Sequence, residues 1–338
     1  MSLRSLHRVG GVGLAVVTLT LALALVGVWW LASRRPRSVV ILVDANELAQ
    51  QPDLPVYFDD MSRCDRAARH QGGCDTLEGY LGAVVPPARL PPAAVAVLHA
   101  HVAQAQALLV RAGCVQGLVA PSWRIAVLED RAEDGWPHTH GAIVCLPLHM
   151  VLRPGPESVK TLVHERVHVF QRSADAAALV AEVVQGDWGM TPMPRADVCR
   201  RVGVTDRVRS NPDLDDNVYT LGDDPCVVRL TVFESEASAA RGGLRAATSV
   251  AFDICRSPGP IHHPLEKGHA PRRPSDFEHP FEAMAYLVAD AVVCGGHDAS
   301  CGGLSHPAVL RSPARPPKGV SKKTLRTTPT HTVTHHPH

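Results

Sequence analysis

The stretch Thr161–Arg172, TLVHERVHVFQR, sets His164 and His168 one helical turn apart, with Glu165 beside the first, among valine, leucine and phenylalanine. Working outward, Ser158–Ser173 carries Val159, Leu162, Val163, Val167 and Phe170 at helical spacing, which predicts an amphipathic helix. At about 3.6 residues per turn both imidazoles fall on one face and can reach a single ion. Glu165 lies about 100° round from His164, close enough to meet a water on that ion. The plain alternative is a core helix whose histidines only hydrogen-bond, but two imidazoles and a carboxylate are costly to bury without a partner. H-E-x-x-H on a helix is the pattern in which zinc activates water and the glutamate takes its proton.

The neighbouring segments predict an α+β plan. Pro91–Gly113 opens on proline, runs through good helix formers and stops at glycine. Trp123–Leu128 and Gly141–Leu146 are rich in β-branched residues and read as strands. A last helix, Pro280–Val293, starts with proline and halts near Gly295.

On TLVHERVHVFQR, the strand before it and a distant acidic residue, the chain resembles the zincin metallopeptidases. The metzincin extension fails, because Gln171 stands at its glycine position and Ala174 at its last histidine. The resemblance therefore implies a gluzincin-like arrangement: a small mixed sheet, an edge strand beside the motif helix, and a later glutamate helix. VHERVHVFQR together with HPFEAMAY is also similar to membrane-anchored metallopeptidase-like proteins of large DNA viruses. The strand before the motif, Gly141–Leu146, is the implied edge, and an extended polypeptide substrate would pair along it.

A catalytic zinc takes three protein ligands and keeps one position open. After His168 the acidic candidates are Asp175, Glu182, Glu234, Glu236, Glu266, Glu278 and Glu282. Glu282 is preferred, because Ala283, Ala285 and Ala289 allow its helix to approach closely; Glu182 is second. A carboxylate in a first helical turn also favours the helix dipole, with no metal needed. The expected metal set is thus His164, His168 and Glu282, with Glu165 as base. For the oxyanion donor, His140 at the strand entry is preferred over His138, His279, Tyr286 and Tyr219.

The rest of the chain bounds the answer. Residues 12–32 lie in an uncharged apolar run ending in Trp29 and Trp30, long enough to span a bilayer, and read as a single-pass anchor after a flank at 1–11. Arg4 and Arg8 before it and Arg34, Arg35 and Arg37 after it lean toward a cytoplasmic body, whereas cysteines confined to the region beyond it favour an oxidising side. The sequence leaves the side open. Residues 39–303 suffice for one domain, and 304–338, rich in proline, threonine and basic residues, read as a disordered tail.

A net charge of +1 gives no reason to expect nucleic acid. Among nine cysteines, Cys64 with Cys74 and Cys294 with Cys301 are close enough for small disulfide loops. Asp213, Asp215 and Asn217 have calcium-loop spacing, but Val218 replaces the required glycine, so a solvated acidic turn is the better reading. Cys145 would be the ligand in an amidase of the deformylase type, although its glycine-rich companions are lacking. The expected function is a membrane-anchored zinc metallopeptidase; the rival is a non-catalytic binding protein on the same scaffold. Oligomeric state leaves no trace in the sequence.

Overall fold

A computed structural model of the chain describes residues 38–69, 76–83, 89–221, 224–255, 260–261, 277 and 279–294. The proposed anchor at 12–32 and the tail at 304–338 lie outside them. The described residues form a mixed α+β structure with two small sheets. The first sheet has four strands in the order β1-β2-β4-β3, made of Val39–Leu42, Ser122–Leu128, His138–His140 (β3) and Ile143–Pro147 (β4). β1, β2 and β4 run parallel, and β3 returns antiparallel to β4.

Alternation along β2 and β4 fixes the layers. Trp123, Ile125, Val127, Val144 and Leu146 face the long helices, and Ala126, Leu128, Ile143 and Cys145 face a cover of short helices carrying Leu48, Leu54, Phe58 and Tyr80. Both faces are buried, so these strands read as near-continuous apolar runs. Pro92–Arg111 is long and apolar enough to cross a membrane by composition, yet Ala94, Leu98, Val102, Ala105 and Leu109 form a stripe inside the main core. Each such leucine or valine contributes about 1.5–3 kcal/mol by leaving water.

The motif helix, Ser158–Gln171, lies on that same face. Its buried Arg166 donates to the carbonyls of Leu118, Ala120 and Ser122 at 3.2, 3.0 and 3.2 Å and stacks over Trp123, which ties the helix to the entry of β2. Gly117 is needed in that loop, since a Cβ would meet the Phe170 ring at 2.9 Å. The closing helix, Pro280–Val293, packs along the motif helix. Ala283, Ala285 and Ala289 are fully buried, and Lys160 bridges to Asp290 at 2.6 Å.

The second sheet is an antiparallel array in the order β5-β6-β7-β8-β9, made of Pro192–Pro194, Asn217–Leu221, Asp224–Val232, Thr248–Asp253 and Pro260–Ile261. It has its own core, including Val228, Leu230 and Phe252, and a Cys226–Cys255 disulfide joining β7 to the residues just after β8.

Two expectations change, and one unforeseen pairing is found. The strand before the motif is not the sheet edge: β4 is paired on both sides, and β3, too short to stand out in the sequence, takes the edge. Cys64 is buried with an unbridged thiol, and Cys74 and Cys301 fall outside the described residues. The pairing found, Cys226–Cys255, depends on two strands meeting across 29 positions, which local spacing does not reveal.

Candidate metal centre

Three side chains from two helices converge. His168 Nε2 lies 3.0 Å from His164 Nε2, and Glu282 Oε2 lies 3.3 Å from the first and 3.7 Å from the second imidazole in motif order. Tetrahedral zinc with bonds of about 2.0–2.1 Å separates its ligand atoms by about 3.3 Å, so the spacing and the donor types fit that ion. Among the described residues this is the one group of His, Cys, Asp or Glu donors close enough to share a metal. Glu182 is exposed on a turn of π-helix and stays apart, as do exposed Asp175, Glu234 and Glu236; Glu266 and Glu278 lie outside the described residues. Cys145 belongs to the core on the opposite sheet face.

The three donor side chains are held from behind, as metal ligands would need. His168 Nδ1 meets Gln171 Oε1 at 2.9 Å, and because an amide oxygen only accepts, Nδ1 carries the proton and Nε2 keeps its lone pair. Gln171 Nε2 in turn donates to the Phe281 carbonyl at 3.0 Å, locking the motif helix to the closing one. Asn211 Nδ2 donates to Glu282 Oε1 at 2.9 Å, which leaves Oε2 for the imidazoles. His279 caps the closing helix: its Nδ1 accepts from Phe281 N at 3.1 Å and its Nε2 donates to Asp215 at 3.1 Å. Asp215 also accepts from Tyr219 and Asn217, so the acidic turn is a set of satisfied structural bonds that registers the glutamate helix.

Glu165 is buried, and its Oε2 has no partner. Burial, with Asp213 and Glu282 nearby, raises its carboxyl well above the usual range. Burial alone would raise Glu282 too, but His168 and His164 hold it well below. His164, Glu165, Glu282 and Tyr286 line a cleft of about 530 Å³. Tyr286, one turn beyond Glu282, packs its ring edge-on against His164 at 4.4 Å.

The far wall is built around an ionic cluster. Arg69 donates to Glu133 at 2.7 Å, and also bonds Asp65 and the Tyr57 hydroxyl; Tyr80 donates to Glu133 at 2.8 Å. Glu133 and Asp134 sit at φ of 48° and 58°, a left-handed stretch that costs about 1–3 kcal/mol per residue and that these bonds offset. Burial would raise the Glu133 carboxyl, but Arg69 outweighs it and pulls the value down to about 2.

His140 does not line the cleft. It is buried between Tyr57 and His138, with Nδ1 facing Asp53 at 3.4 Å. His138 does line it, but its Nδ1 bonds the Trp136 carbonyl at 3.0 Å and so carries the proton, and burial lowers its pKa; the neutral ring presents an acceptor at Nε2. Tyr219 serves Asp215 outside this cleft. Sequence reasoning missed Gln171, Asn211 and the Arg69–Glu133 pair. Gln171, three residues after His168, had a legible spacing; the others come together only through long-range contacts.

No family model, curated protein or solved structure matches the chain.

Proposed function

We propose that the protein is a zinc-dependent metallopeptidase with a zincin-like, gluzincin-type site, tethered by residues 12–32. One observation carries this reading: two imidazole nitrogens and a carboxylate oxygen converge at 3.0–3.7 Å, beside a buried carboxylate with an unpartnered oxygen at the same cleft. His164, His168 and Glu282 would hold zinc, which supplies Lewis acidity that acidifies water and polarises a carbonyl. Glu165 Oε2 takes the proton from the attacking water and returns it to the leaving amine. Tyr286 replaces His140 as the proposed oxyanion donor, because its side chain reaches the cleft and carries a hydroxyl. Gln171 and Asn211 keep the ligand atoms aimed at one point. The substrate is a peptide, and the Cys226–Cys255 bond supports a domain on the oxidising side of the membrane.

The test is zinc content and peptide cleavage for the parent, Glu165→Gln and Tyr286→Phe. Retained zinc with lost cleavage in Glu165→Gln supports the peptidase; Tyr286→Phe is expected to lower kcat more than it changes KM. A parent that binds zinc and cleaves no peptide supports the non-catalytic rival. Protease access to the C-terminus in sealed vesicles checks the topology.

A further inference from the structure

The strand bordering the cleft has no backbone donor to offer. Among the described residues β3 is the last strand of its sheet, and its amides alternate in direction. The Thr139 N–H points away from β4, so positions 137, 139 and 141 form the outward row. Pro137 has no N–H. The Thr139 N–H donates to Asp213 Oδ1 at 2.7 Å. The Gly141 N–H donates to Asp53 Oδ2 at 3.0 Å. Three successive outward positions are thus silenced by three separate means.

The segment closing this edge, Ser210–Asp213, is tied at every residue. Ser210 N donates to Asp65 at 2.9 Å, and the Ser210 carbonyl accepts from Arg69 at 3.0 Å. Asn211 reaches Glu282, the Pro212 carbonyl accepts from Arg172, and Asp213 takes the Thr139 hydroxyl at 2.6 Å as well as its amide. Blunted edges also prevent aggregation, but this strap lines the cleft and touches a ligand glutamate, so it bounds the reacting space.

Resting on the peptidase reading, we propose that the site takes a peptide of a few residues, or the last residues of a chain, gripped by side chains inside the cleft rather than added as a strand to the sheet. Strand addition draws its affinity from main-chain hydrogen bonds, and those of an acceptor carbonyl need the very donors occupied here. Each is worth about 1 kcal/mol, so losing two costs about tenfold or more in binding. The cleft volume of about 530 Å³ suits a short ligand, and beside the base Glu165 it presents a further unpartnered buried acceptor, His138 Nε2, to fix it.

The test uses the zinc-loaded full chain in detergent, with a library of free hexapeptides and the same library embedded in a long unfolded polypeptide. The expected kcat/KM is at least tenfold higher on the free peptides. Equal or faster cleavage of the embedded series overturns the proposal while leaving the peptidase reading intact. No cleavage of either series overturns both. The double variant Asp53→Ala/Asp213→Ala, checked for retained zinc, frees both amides and should narrow the gap severalfold; a gap that does not move removes the edge as its cause.

Discussion

Replacing Gln171 with leucine tests the coupling between the two helices. The side chain is buried and makes two bonds, to His168 Nδ1 at 2.9 Å and to the Phe281 carbonyl at 3.0 Å. Leucine fills much the same space and makes neither. Without metal, the loss is one helix-to-helix bond and a carbonyl left dry, about 1–3 kcal/mol of stability. With metal, the effect is more specific. His168 no longer has an acceptor at Nδ1, so its proton can move to Nε2, the ligand atom, and metal must displace it. Losing such a supporting partner weakens metal affinity about 10–100-fold, or about 1.4–2.7 kcal/mol. Competition against a chelator of known zinc affinity, at neutral pH, reads this directly, and thermal melts of the metal-free protein read the packing term. Gln171→Glu keeps the acceptor and should retain most of the affinity while losing the bond to Phe281. A leucine variant holding zinc within twofold of the parent would refute the idea that Gln171 orients His168.

Three other outcomes are expected. Arg69→Met leaves Glu133 and Asp65 buried without their cation, and should cost about 3–5 kcal/mol in denaturant unfolding, with loss of the Glu133 turn at the cleft wall. In acid, Glu133 sets a clear sign: its folded carboxyl, at about 2, lies below the ordinary 4.5, so its stabilising contribution is full above pH 4.5 and fades as pH falls toward 2. That contribution is about 3 kcal/mol, and Asp65, raised chiefly by burial, offsets part of the loss as it takes up its proton. Acid melts of the parent should show this fall, and Glu133→Gln should flatten it. Cys226→Ser opens a loop of sequence separation 29 and should lower stability by about 3–4 kcal/mol, with zinc content unchanged, since the bond pins the second sheet.

Some of this was legible in the sequence because the information is local. A turn of helix places residues i and i+4 on one side whatever surrounds them, so TLVHERVHVFQR specified the imidazole pair and the adjacent carboxylate. Proline and glycine marked the ends of Pro280–Val293, and the alanines beside Glu282 foretold a helix that could come close. The rest depends on which distant segments touch. Glu282 had acidic competitors of equal chemistry, and only packing of the closing helix against the motif helix separates it from Glu182. His138 and His140 share one face of a three-residue strand, their rings 5.2 Å apart, and only what packs at each end of it decides that the first meets the cleft and the second faces Asp53. Asp213, read along the chain as part of a solvated turn, closes the sheet edge from 74 positions away. Local sequence set the periodicity of the site. Its walls, its supports and the state of its edge were decided by long-range burial, which must find a partner for each polar group it removes from water.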